Sequence, residues 1–123
     1  MVPNLQRFAA LRLDLAITEA DARMILPASG TPTAEQLSAQ ASTYTELVQA
    51  CLAVARCVGF TVWGFTDAHS WVPGTFPGQG AADLYDAQLR PKPAYAAVQH
   101  TLELAPGAPL RRSPLGGERA DRD

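Results

Sequence analysis

The stretch "CVGFTVWGF", Cys57 to Phe65, is nearly continuous in apolar and β-branched residues. A strand with one face in water alternates apolar and polar side chains, whereas a strand covered on both faces does not need to. The reading is a buried strand of the kind that parallel sheets produce.

Working upstream, Leu37, Ala41, Tyr44, Val48 and Cys51 fall at steps of four, three, four and three, one face of about four helical turns. The loop before them, "PASGTPTAEQ" (27–36), carries Gly and Pro, and Thr33 followed three residues later by Gln36 has the form of a capping box. Further upstream, "DLAITEAD" (14–21) belongs to a second strand in which Leu13, Leu15 and Ile17 alternate. That strand ends abruptly in two carboxylates, Glu19 and Asp21. Residues 4–11, with Leu5, Phe8, Ala9 and Leu11, read as the last turns of a helix. Downstream, a long loop (66–91) leads to a helix over Lys92 to Leu104, opened by Pro93, whose missing N–H costs little in a first turn. Residues 105–123 mix Pro, Gly and charge without periodicity and read as a disordered tail.

Helix end, strand, helix, strand, helix means an α/β fold with a parallel sheet. Two strands alone leave a difficulty. A strand as apolar as Cys57 to Phe65 needs a neighbour on each side and a layer on each face. Either copies assemble or the chain corresponds to part of a larger α/β domain, and a lone chain is expected to be molten or to associate through its uncovered face.

Composition narrows the function. With 123 residues, 47% of them hydrophobic, and a net charge of -2 without runs of one sign, the chain reads as one globular unit. It has no basic footprint for nucleic acid and no polybasic patch for a membrane surface. No apolar stretch approaches the roughly 18 residues that cross a bilayer, and the first residues lack the layout of a secretory signal. Cys51 and Cys57 are the only cysteines; with just His69 and His100 beside them they make a poor zinc set, which leaves buried thiols or a disulfide open. His69, alone in a polar loop, reads as solvated.

The segments "LDLAITEAD", "QACLAVARCVGFTVWGFTDAHSWVPGTFPGQGAADLYD" and "KPAYAAV" resemble the C-terminal part of a family 10 glycoside hydrolase, the retaining endo-β-1,4-xylanases. The most specific piece is "CxGFTVWGFTDxxSW", with its two tryptophans eight apart. The resemblance implies a TIM (β/α)₈ barrel, of which this chain supplies the end of helix 6, strand 7, helix 7, strand 8 and helix 8. Residues 1–104 would be a partial catalytic domain. Catalytic groups of such barrels sit at the C-terminal ends of strands, and Glu19 matches the nucleophile in "ITE". Without the resemblance, a Glu at a strand end is ordinarily solvated or ion-paired. Asp21 receives no catalytic role. Trp63 and Trp71 match the tryptophans that line the sugar cleft, an indole face being suited to the C–H face of a pyranose; read alone, they would be packing residues.

The resemblance also implies a Cys51–Cys57 disulfide, a secreted protein, xylan or xylo-oligosaccharides as substrate, and no cofactor or metal. Where the family carries bulky aliphatics after the Glu and after the Asp, this chain has Ala20 and Ala22, which is expected to loosen the packing around Glu19. The family's general acid/base, a Glu at the end of the fourth strand, has no counterpart in these residues. A whole barrel takes about 250 residues, so the remaining barrel segments are an implied partner and the isolated chain is expected to hydrolyse little or no xylan. The alternative is a non-catalytic remnant serving as a small carbohydrate-binding or assembly module.

Overall fold

The structure, a computed structural model, describes residues 1–105; apart from Ala105, the expected tail lies outside the described residues. Helix α1 (Val2–Ala9) leads into strand β1 (Leu15–Ala20), helix α2 (Ala34–Leu52), strand β3 (Cys57–Val62) and helix α4 (Pro93–Glu103). Between these lie β2 (Met24–Ile25), a 3-10 turn (Asp67–His69), the short helix α3 (Val72–Thr75) and β4 (Gln79–Gly80). The alternation and the parallel pairing of β1 with β3 are as the sequence implies.

The boundaries differ in instructive ways. Beyond α1, Leu11 and Arg12 donate backbone N–H groups to Phe8 and Ala9 carbonyls, and Arg12 takes a left-handed φ of 61°. That turn consumes residues 10–12, so the strand begins at Leu15 rather than at Leu13, where the alternation starts. The capping box forms: Thr33 Oγ1 accepts from Gln36 N–H, and Gln36 Oε1 accepts from Thr33 N–H. The antiparallel contact of β2 with β4 joins segments more than fifty residues apart and has no periodic signature in either. It closes the loop after β1 onto the loop after β3.

One face of the β1–β3 pair packs on the helices. Ala20, Tyr44 and Ala94 form the buried centre, with Ile17, Leu47, Phe60, Val62, Leu84 and Val98 around them. Ala20, in place of the bulky aliphatic that the resemblance leads one to expect, is itself buried here. The other face is open: Thr18, Glu19 and Thr61 are exposed, and Trp63, just past β3, is 54% exposed. The double coverage expected of Cys57 to Phe65 is therefore met on one side among the described residues. Cys51, in the last turn of α2, and Cys57, at the head of β3, are joined by a disulfide with Cα atoms 5.2 Å apart. Such a short loop contributes on the order of 2 kcal/mol.

Tyr44 is the polar member of the core. Its hydroxyl donates to the Ala82 carbonyl at 2.7 Å and lies 3.3 Å from the Ala20 carbonyl. Burial, first of all, pushes its ionisation well above the ordinary tyrosine value, so it serves as a neutral donor. Tyr44→Phe leaves a buried carbonyl without its donor and is expected to lower stability by about 1–3 kcal/mol, measured as a shifted midpoint of denaturant unfolding with unchanged slope.

Candidate functional site

At the C-terminal end of the parallel pair, Glu19, Asp21, Arg23, Trp63 and Trp71 line one open groove. The backbone explains why Glu19 points there. Ile17 pairs with Phe60 and Ala20 with Val62, so Thr18 and Glu19 on β1 stand opposite the single residue Thr61 on β3. A bulge of this kind re-aims side chains and is frequent at barrel rims. Ile17 and Ala20 both pack into the helix layer, which leaves the exposed Glu19 side chain for the other face. Glu19 takes part in none of the ion pairs among the described residues.

Asp21, just past the strand, holds the far wall. Its Oδ2 accepts a hydrogen bond from Trp71 Nε1 at 2.5 Å, while its Oδ1 is buried without a partner. The Trp71 ring meets Phe76 edge to face with centroids 5.7 Å apart, and the Arg23 guanidinium lies 4.0 Å over the same Phe76 ring. Arg23 Nε donates to Gln79 Oε1. Trp71 is thus clamped by a carboxylate on one side and a ring on the other, whereas Trp63, just past the end of β3, has no such clamp among the described residues. His69, in the 3-10 turn, is not among the residues lining the groove.

The loop carrying Trp71 is fixed from below. Lys92, ahead of α4 and 6% exposed, donates from Nζ to Asp67 Oδ2 and to the Ala81 carbonyl, both at 2.8 Å. Asp67 Oδ1 in turn accepts from Asp83 N–H at 2.9 Å, and Gln40 Nε2 donates to the Ala22 and Ala81 carbonyls. These residues were not singled out from sequence. A buried lysine in "KPAYAAV" looks the same on paper as an exposed one, and only the 25-residue return of the loop reveals its partner. Among the described residues there is no grouping of three or more His, Cys, Asp or Glu that would hold a metal ion.

The sequence profile of glycosyl hydrolase family 10 matches residues 1–101. The endo-1,4-beta-xylanase of Agaricus bisporus is 50% identical over 95 residues, covering 77% of this chain and 27% of that protein. Endo-1,4-beta-xylanase 1 of Gibberella zeae is 46% identical over 98 residues, covering 80% and 27% respectively. Among solved structures, the Penicillium canescens endo-1,4-beta-xylanase XylE superposes with a TM-score of 0.79 at 41% identity, over 85% of this chain and 31% of that one. Xylanase 10B of Thermotoga petrophila RKU-1, solved with xylobiose, gives 0.77 at 40% identity, over 83% and 30%. The chain therefore spans less than a third of these relatives.

The Asp21–Trp71 bond is directly checkable. Asp21→Ala removes the acceptor and is expected to free the indole, so that acrylamide quenching of tryptophan fluorescence rises relative to the parent chain, while Asp21→Asn, which keeps an acceptor oxygen, restores most of the protection.

Proposed function

The chain belongs to glycosyl hydrolase family 10, and from that premise we propose that residues 1–104 supply the nucleophile-bearing part of a retaining endo-β-1,4-xylanase. Glu19 is the nucleophile and Trp63 and Trp71 are the walls against which the sugar chain stacks. The observation that carries this reading is the convergence of a free carboxylate and two indoles on one groove at the C-terminal end of parallel strands.

In the proposed reaction the Glu19 carboxylate attacks the anomeric carbon while the glycosidic bond breaks and its oxygen takes a proton from a second carboxyl group. Water, deprotonated by that second group, then displaces Glu19 and releases the sugar with its anomeric configuration retained. The second carboxyl must lie roughly 5–5.5 Å from the first. Asp21, the other acid of the groove, is engaged by Trp71 and is assigned to holding that wall. The general acid/base therefore comes from the remaining strand–helix units of the barrel, which are this chain's partner in catalysis. Xylan and xylo-oligosaccharides are the substrate class, and no cofactor enters. The Cys51–Cys57 disulfide supports secretion into an oxidising compartment, and no described helix is long and apolar enough to cross a membrane. Similarity to enzymes along nearly the whole described chain favours this reading over a free-standing carbohydrate-binding or assembly module.

The test is release of reducing sugar from xylan by the chain alone and by the chain joined to the first six strand–helix units of the Agaricus bisporus relative. The chain alone is expected to release little or none and the joined protein to be active. In the joined protein Glu19→Gln is expected to abolish release, and Trp63→Ala to raise KM about tenfold, the worth of one good stacking contact. Full activity in the joined Glu19→Gln protein would overturn the assignment.

A further inference from the structure

Asp83, midway along the loop between β3 and α4, is 1% exposed, and neither of its carboxyl oxygens has a hydrogen-bond partner. It is the one acid among the described residues buried so completely with both oxygens orphaned. The carboxyl lies against the backbone of Gly64, so closely that a methyl group added there would collide with it. Gly64 directly follows Trp63, which places the buried acid immediately behind one wall of the groove.

Charged and titratable groups face Asp83 from each neighbouring element: Asp21 from the end of β1, Asp67 from the 3-10 turn, Lys92 from the head of α4 and Tyr44 from α2, with the neutral Ser70 hydroxyl just past the turn. Lys92 is the only cation among them. Its ammonium is already committed to Asp67 and the Ala81 carbonyl. An ionised Asp83 would thus be a third carboxylate, after Asp21 and Asp67, around one engaged lysine, with only the Ser70 hydroxyl, outside hydrogen-bond geometry, to offset desolvation. A buried charge in that position is strongly unfavourable.

We propose that Asp83 is a buried acid switch: the chain folds around its neutral carboxyl, and ionisation loosens the loop between β3 and α4 and with it the setting of Trp63 and Trp71. Burial first, then the Asp21 and Asp67 charges, raise Asp83 above the ordinary aspartate value, against the weaker pull of Lys92 and Ser70. The sign follows from linkage. The folded state holds a proton that the unfolded state has lost, so stability is greatest below the ordinary aspartate value and falls as pH rises through the raised folded value. Asp86 acts in the opposite sense: the Arg90 N–H, first among its neighbours, lowers it, so its contribution grows with pH. A net loss of stability on raising pH is therefore a distinctive signature of Asp83.

The experiment is thermal unfolding of the full chain, followed by near-ultraviolet circular dichroism, between about pH 4 and about pH 8, with acrylamide quenching of tryptophan at each pH. The parent chain is expected to lose about 4–8 °C or more of melting temperature towards the upper end, with quenching rising in step. Asp83→Asn keeps the shape but cannot ionise, and Asp83→Leu fills the site with an apolar group. Both are expected to flatten the loss, to melt above the parent near neutrality and to hold quenching constant. The same slope in Asp83→Asn as in the parent overturns the proposal, as do variants that melt below the parent near neutrality. Absence of a cooperative transition in the parent at every pH and in Asp83→Leu near neutrality overturns it as well. No sugar enters these measurements, so their outcome is separate from the hydrolase reading.

Discussion

The ammonium of Lys92 is the fastening on which the groove depends. The loop between β3 and α4 is long, rich in Gly and Pro, and carries one wall of the site. Such a segment keeps a single shape only if its start, middle and end are pinned together. Lys92, at its end, binds Asp67, at its start, and the Ala81 carbonyl, near its middle. Asp67 then reaches back to the Asp83 amide. One buried cation thereby closes two chain reversals. Removing a partner of such a pair strands a charge out of water at a cost of about 3–5 kcal/mol, so the loop is held in one arrangement rather than graded between several. Trp71 inherits that fixity through Asp21 and Phe76.

Tyr44 and Gln40 extend the same fastening to the helix layer. The hydroxyl reaches the Ala82 carbonyl and the Gln40 amide reaches Ala22 and Ala81, so a single face of α2 reads both the exit of β1 and the return of the loop. That face is apolar by sequence, yet its two polar members decide where the groove lies. Apolar packing sets that the helix docks; these bonds set the register in which it docks, because a carbonyl buried without its donor is costly whereas a methyl group shifted slightly is not.

The elements that were legible in sequence are those whose signals are local. The capping box at Thr33, the helical face from Leu37 to Cys51, the Pro93 start of the last helix and the two parallel strands follow from spacing within a few residues. What stayed hidden depends on long returns of the chain. Met24 and Ile25 meet Gln79 and Gly80, Arg23 finds Phe76, and Lys92 finds Asp67, each a contact that no window of ordinary length contains. The groove divides in the same way. Glu19, Trp63 and Trp71 stood out because of the motif around them, while Arg23 did not. The bulge that aims Glu19 arises from a mismatch in length between two paired strands, a property of neither strand alone.

The open face of the β1–β3 pair closes the argument about what the groove needs. Both strands have a free edge among the described residues, since each pairs with the other alone. Trp63, just past the end of β3, stands largely in water. In a closed barrel that face is filled by layers of side chains from alternate strands, and each strand edge meets a neighbour. Covering it does more than stabilise. A carboxylate at the rim of an open two-stranded ribbon faces bulk water, where, on the proposed function, the nucleophile would be hydrated and a sugar ring would meet indoles on one side only. The same carboxylate at the mouth of a closed barrel faces a shaped, partly dry cleft in which charge interactions strengthen. On the proposed function, the positioning that this chain builds into Glu19, Asp21 and Trp71 is therefore geometry suited to a lower-dielectric setting, one that flanking strands of a closed barrel would provide.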